Sequence, residues 1–160
     1  MNNLTNKRLI LIVSGGIAAY KSLELVRRLL DNGALVRVVM TAAAQRFVGQ
    51  LSFQALSGEP VHTDLLDTAA EAAMGHIELA RWADAVVIAP ATANFMARLG
   101  YGAADDLATT VCLATTAPLL LAPAMNQQMW HNAATQENVN SLSRRGVTIV
   151  GPVSGLQACG

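Results

Sequence analysis

Arg8-Leu9-Ile10-Leu11-Ile12-Val13, followed at once by Ser14-Gly15-Gly16, decides the fold of this chain. After Arg8 the run is apolar without alternation, the pattern of a strand buried on both faces. The glycine turn hands the chain to a helix predicted over Ile17 to Asp31, where Ala19, Leu23, Val26 and Leu30 share one stripe. Asn32-Gly33 gives that helix a left-handed stop. Leu35 to Met40 is the second strand.

The same alternation continues outward. Ala42 to Leu56 reads as helical but interrupted near Gly49, with Ser52 as a new cap. Val61 to Thr63 fits a short third strand, and Asp67 to Gly75 a loop or loose helical turn. A helix over Ile77 to Ala83 leads into a fourth strand, Ala85 to Ala89, which Pro90 is expected to break. Helices follow from Thr92 to Leu99, and from a cap at Asp105 or Asp106 through Thr115. Leu119 to Ala122 is the fifth strand, Ala133 to Arg145 a helix closed by Gly146, and Val147 to Val150 the sixth strand. The prediction is an α/β fold of three layers, Rossmann-like or flavodoxin-like, with a parallel six-stranded sheet.

The 160 residues suit a single domain, 1–160, large enough to bury a core without staples. Apolar residues make up 52% and the formal net charge is zero, which argues against nucleic acid as a partner. No apolar run is long enough for a membrane span, and Met1 to Lys7 does not introduce a signal peptide. Two cysteines, Cys112 and Cys159, give no disulfide framework, and the simplest compartment is the reducing cytoplasm. The irregular segment Gly151 to Gly160 is expected to be a cut rather than a natural end.

Four segments carry chemistry. Ser14-Gly15-Gly16-Ile17 lies between first strand and first helix, where glycines admit a ligand and helix-start amides face an anion. It matches neither the dinucleotide GxGxxG nor the P-loop, and its plainer reading is a tight turn. Pro90-Ala91-Thr92-Ala93-Asn94 forms a second small-residue turn, whose plainer reading is a strand-to-helix connection capped by Thr92. Two such turns from non-consecutive strands fit a mononucleotide phosphate. Pro123-Ala124-Met125-Asn126 lies at a carboxyl strand end, where Asn126 either contacts a substrate or merely caps the next helix.

His76 opens a helix, and histidine titrates near neutral pH, so it is a candidate acid or base. His62 and His131 lack such a setting and read as structural. Cys159, flanked by Ala158 and Gly160, is a thiol placed to swing over a site. Cys112 lies among Val111, Leu113 and Ala114 and reads as core. The histidines and cysteines show no metal-ligand spacing, so no metal site is expected.

Taken together, Ser14–Lys21, His76, Pro90–Asn94, Pro123–Trp130 and Ala158–Gly160 resemble the bacterial phosphopantothenoylcysteine decarboxylase domain, one of the homo-oligomeric flavin-containing cysteine decarboxylases. The resemblance covers essentially the whole chain. Thr92 and Phe95 depart mildly, standing where Ser and Thr are often seen; Pro-Ala-Met-Asn and the final Ala-Cys-Gly are more specific.

The resemblance implies FMN as cofactor, held by Ser14, Gly15, Gly16, Ile17, Thr41, Pro90, Ala91, Thr92, Ala93 and Asn94. It implies 4′-phospho-N-pantothenoylcysteine as substrate, contacted by Met125, Asn126, Ala158 and Cys159. Flavin oxidation of the thiol to a thioaldehyde, loss of carbon dioxide and re-reduction of the enethiolate would give 4′-phosphopantetheine. This is a carbon–carbon lyase reaction of coenzyme A biosynthesis. His76 would serve the first half, Asn126 would hold the substrate carboxylate, and Cys159 would protonate the enethiolate. The resemblance further implies a trimer, or a dodecamer of trimers, and a ligase domain in the full-length protein that this chain lacks. The alternatives are a flavin-binding regulatory subunit, a peptidyl-cysteine decarboxylase or a flavin prenyltransferase.

Overall fold

The computed structural model describes residues 3–69 and 75–155. Five parallel strands form one sheet: β1 (Arg8–Val13), β2 (Leu35–Met40), β3 (Ala85–Ala91), β4 (Leu119–Pro123) and β5 (Thr148–Ile149). Their order is β2-β1-β3-β4-β5. Among the described residues seven α-helices accompany them: α1 (Lys21–Asp31), α2 (Gln50–Ser57), α3 (His76–Trp82), α4 (Ala93–Tyr101), α5 (Leu107–Ala114), α6 (Gln127–His131) and α7 (Ala133–Arg144).

The unbroken apolar run of β1 produces the layers. Alternate side chains of a strand point to opposite faces. Leu9, Leu11 and Val13 enter a core with Val26 of α1 and Phe53 of α2. Ile10 and Ile12 enter a second core with Leu79 of α3, Phe95 and Met96 of α4, Val111 of α5 and Leu142 of α7. Both faces are thus covered, as a parallel sheet requires.

Helix ends follow local chemistry. Gly33 closes the turn after α1 at φ +87°, and Gly146 the turn after α7 at φ +89°. The Thr92 hydroxyl caps α4 by accepting from Phe95 N–H at 3.2 Å. Asp106, not Asp105, caps α5 in a reciprocal box with Thr109. Asp105 instead pairs with Arg98.

Several expectations need correction. Among the described residues the sheet has five strands, not six. Val61 to Thr63 contributes only an isolated bridge between His62 and Val39, because Asp64 at once turns the chain by accepting from Leu66 N–H at 2.8 Å. The last strand shortens to Thr148–Ile149. Pro90 does not end its strand: β3 runs through it to Ala91, and the pairing with β4 shifts register between Ile88 and Ala91. A proline lacks an N–H, and a bulge is where a ladder does not need one. The predicted first helix is a 3-10 turn over Ile17–Tyr20 followed by α1. Gly49, not Ser52, precedes α2 as its cap. The short α6 is the helix that the cap reading of Asn126 implies, although no range is predicted for it. Among the described residues no helix is long and apolar enough to cross a membrane.

Candidate functional site

The strand order reverses between β1 and β3, the crevice where open α/β sheets receive ligands; flavodoxin-like sheets share this order. The carboxyl ends of four neighbouring strands are tied together there. Thr41 N–H, just past β2, donates to Val13 O at 3.1 Å, and the Thr41 hydroxyl accepts from Ala44 N–H at 3.1 Å. Ser14, just past β1, donates through Oγ to Pro90 O and accepts from Thr92 N–H at 3.1 Å. Ala124 N–H, past β4, donates to Ala91 O at 3.1 Å.

Glycine is required at position 15, where the loops after β1 and β2 touch. A Cβ on Gly15 would collide with the Cβ and backbone of Ala43. A Cβ on Gly16 would sit 3.4 Å from the Thr92 side chain, so the loops after β1 and β3 face each other closely. Among the described residues, no hydrogen bond engages the backbone N–H of Gly15, Gly16, Ile17 or Ala18, nor of Ala93 or Asn94. Two clusters of open donors at helix starts thus flank one crevice, and they fit the phosphate of a mononucleotide. The predicted residues Ser14, Gly15, Gly16, Ile17, Thr41 and Pro90–Asn94 all lie at this end of the sheet, with Pro90 and Ala91 closing β3 and Ala93 and Asn94 opening α4.

The neighbouring strand end carries the Met-Asn segment. Met125 is half-buried against the core, as is Trp130. Asn126 is exposed and caps α6: its Oδ1 accepts from Gln128 N–H at 2.8 Å. The plainer reading of Asn126 as a helix cap is therefore present in the structure. It uses only Oδ1, and the capping bond fixes which end of the amide is oxygen. Among the described residues the Nδ2 donor makes no hydrogen bond.

His76 is the first residue of α3, and Gly75 before it is buried. The last turn of α3 leads the chain into the start of β3. The side chain is half-buried, and its Nδ1 is shielded from solvent. Ala158 and Cys159 lie outside the described residues.

The other ionisable groups read as structural. His62 lies at the sheet edge, and burial, then the nearby Arg37 guanidinium, lowers its pKa. His131 is exposed at the end of α6. Cys112 is a buried free thiol, and desolvation pushes its pKa up to about 12, which makes it inert. Among the described residues no cluster of His, Cys, Asp and Glu could hold a metal. Sequence reading passed over Ser22, whose hydroxyl donates to Ala89 O at 2.7 Å from within α1. The available signal was a polar residue one turn before Val26, on the helix's apolar stripe.

Known proteins share this architecture. The family described as Flavoprotein matches residues 1–159. The coenzyme A biosynthesis bifunctional protein CoaBC of Escherichia coli strain K12 is 61% identical over 158 residues, covering 99% of this chain and 39% of that protein. The chain thus spans about 40% of the length of the curated relatives it matches. Among solved structures, the FMN-dependent cysteine decarboxylase SpaF superposes with TM-score 0.83 at 37% identity, covering 90% of this chain and 83% of that one. A cysteine-to-serine mutant of PPC decarboxylase, complexed with pantothenoylaminoethenethiol, does so with TM-score 0.83 at 33% identity, covering 97% and 87%. With a family match over nearly its full length and amide-lined loops at the switch point of its sheet, the chain belongs to the Flavoprotein family.

Proposed function

We propose that this chain catalyses the FMN-dependent decarboxylation of 4′-phospho-N-pantothenoylcysteine to 4′-phosphopantetheine in coenzyme A biosynthesis. The observation that carries the reading is a juxtaposition. Two open amide clusters flank the β1/β3 crevice, and Pro123-Ala124-Met125-Asn126 projects from the adjacent strand end, in a chain 61% identical to a coenzyme A biosynthesis protein. FMN would be held by the loops of Ser14–Ile17, Thr41 and Pro90–Asn94, with its phosphate on the helix-start amides. When bound, FMN supplies a reversible two-electron sink, so the reaction needs no external electron donor.

The chain's own groups bind and move protons. Asn126 holds the substrate carboxylate through Nδ2, while its Oδ1 stays committed to the α6 cap. Met125 lines the same pocket. His76 takes a proton from the substrate in the half that ends with carbon dioxide release. Cys159 gives a proton to the enethiolate that remains. A thiol suits this role because it is ordinarily protonated at neutral pH.

The full-length protein would carry a ligase half that joins cysteine to phosphopantothenate. It would work in the cytoplasm as a homo-oligomer built from trimers, with a dodecamer of four trimers as the larger form. Exposed Ile17, Tyr20, Phe47 and Leu51 support burial against another copy. Light scattering of a flavin-loaded monomer would count against it.

The deciding experiment supplies phosphopantothenoylcysteine to the FMN-loaded chain and measures carbon dioxide and phosphopantetheine. Both should form. Release only from a peptide ending in cysteine would favour peptidyl-cysteine decarboxylation. Bound flavin without release from either substrate would favour a regulatory subunit.

A further inference from the structure

A break in a strand ladder leaves backbone carbonyls that must find other donors. The β3–β4 register shifts between Ile88 and Ala91, and the β1–β3 register ends at Ile12 and Ile88, so Ala89 and Pro90 lie past the regular pairing with both neighbours. Both residues are buried. Both carbonyls are taken by serine hydroxyls from the chain's first βα unit. Ser14 Oγ donates to Pro90 O, and Ser14 N–H reaches the same oxygen at 3.3 Å. Ser22 Oγ, from the first turn of α1, donates to Ala89 O at 2.7 Å. The loop is closed by Thr92 N–H, which donates to Ser14 Oγ at 3.1 Å. Ser14 is 1% exposed and Ser22 3%. A hydroxyl has one proton to donate, so both protons are already committed to the bulge.

We infer that Ser14 and Ser22 are positioning residues: together they clamp the β3 bulge to the first βα unit and so set the spacing of the two amide clusters. The inference rests on the FMN reading given above. It gives Ser14 a different task from that of a cofactor ligand. Its hydroxyl aims the Ala93 and Asn94 amides toward those of Gly15–Ala18, and the amides receive the phosphate. Removing the Ser22 hydroxyl takes the serine donor from the buried Ala89 carbonyl. Removing the Ser14 hydroxyl leaves Pro90 O with the Ser14 N–H alone and takes the acceptor from Thr92 N–H, so either change frees the bulge to shift. Phosphate recognition, which needs both clusters at once, should suffer more than contacts to the flavin ring.

The test compares FMN with riboflavin, which lacks the phosphate, by fluorescence titration of the cofactor-free chain. Ser14→Ala and Ser22→Ala are each titrated, with circular dichroism to establish folding. Ser22→Ala exchanges serine for the best helix former, so α1 should persist if the Ser14 variant fails to fold. Each folded variant should lose about tenfold in FMN affinity, as expected for one lost buried hydrogen bond. Riboflavin affinity should change far less. Equal losses for both ligands, or none, would overturn the proposal. A wild type without preference for FMN would overturn the underlying reading and the proposal with it. A preference kept by both variants would overturn the proposal alone.

Discussion

The two sides of the crevice are built by opposite means. The amide-lined side is held by bonds between residues 67 to 78 positions apart: Ser14 reaches Pro90 and Thr92, and Ser22 reaches Ala89. The Met-Asn side is held locally, by Asn126 capping a five-residue helix through Gln128 N–H. The first arrangement exists only once the sheet has formed; the second depends on neighbours in sequence. A preformed cradle suits a cofactor that stays bound. A lightly held, exposed side chain suits a substrate that comes and goes.

The comparison breaks most visibly on the local side. With Asn126 in the proposed role of holding the substrate carboxylate, Asn126→Asp would set one carboxylate against another and remove a hydrogen bond to a charged group. Turnover should fall about a hundredfold or more, with FMN still bound. Carbon dioxide release and flavin absorbance on the same sample check it; near-normal turnover would make Asn126 a cap and nothing else. His76→Asn should be equally inactive, with no carbon dioxide released.

Cys159→Ser should divide the reaction instead of abolishing it. Serine is a far weaker acid than cysteine, so protonation of the enethiolate should fail after carbon dioxide has left. Anaerobic mass spectrometry should find a product lighter than phosphopantetheine by two hydrogens. Normal phosphopantetheine formation would make the thiol a bystander.

On the long-range side, Gly15→Ala forces a Cβ into Ala43 and should cost about 1–3 kcal/mol of stability, with weaker FMN binding. Urea melts of the cofactor-free chain measure the first effect and fluorescence titration the second. An unchanged midpoint would mean that the loops after β1 and β2 part easily.

The smallest effect is expected at the far end of the sheet, which serves as a control. Asp84 accepts from Arg8 at 2.9 Å, and these hydrogen bonds lower its pKa to about 2. A depressed carboxyl pKa contributes stability above the unfolded value near 3.9 and loses it as pH falls toward the folded value. Asp84→Asn should therefore melt slightly below wild type at pH 7, and the gap should close between about pH 4 and pH 2. A gap that persists at pH 2 would show that the pair acts through packing. FMN affinity should not change.

This contrast also explains what the sequence made legible. The runs of β1 and β2 were readable because burial on both faces leaves unbroken apolar residues. Asn126 was readable because a cap and its helix are adjacent in sequence. The strand through Pro90 was not, because a bulge depends on partners from another strand. His62 was misread as part of a strand because Asp64 ends the pairing at once. Ser22 carried only a faint signal: its partner, Ala89, lies in a different strand and is a backbone atom without sequence identity. Both anion-ready turns were legible from their glycines and small residues, but their closeness emerged only with the β2-β1-β3-β4-β5 order.

The Asn126 cap has a consequence for protein engineering. Aspartate is as good a cap as asparagine, and its negative charge suits a helix start. A thermal-shift screen would therefore pass Asn126→Asp as neutral, or promote it. Selection for robustness alone would erode the proposed reaction without warning, so a library built on this chain has to be screened by turnover at this position.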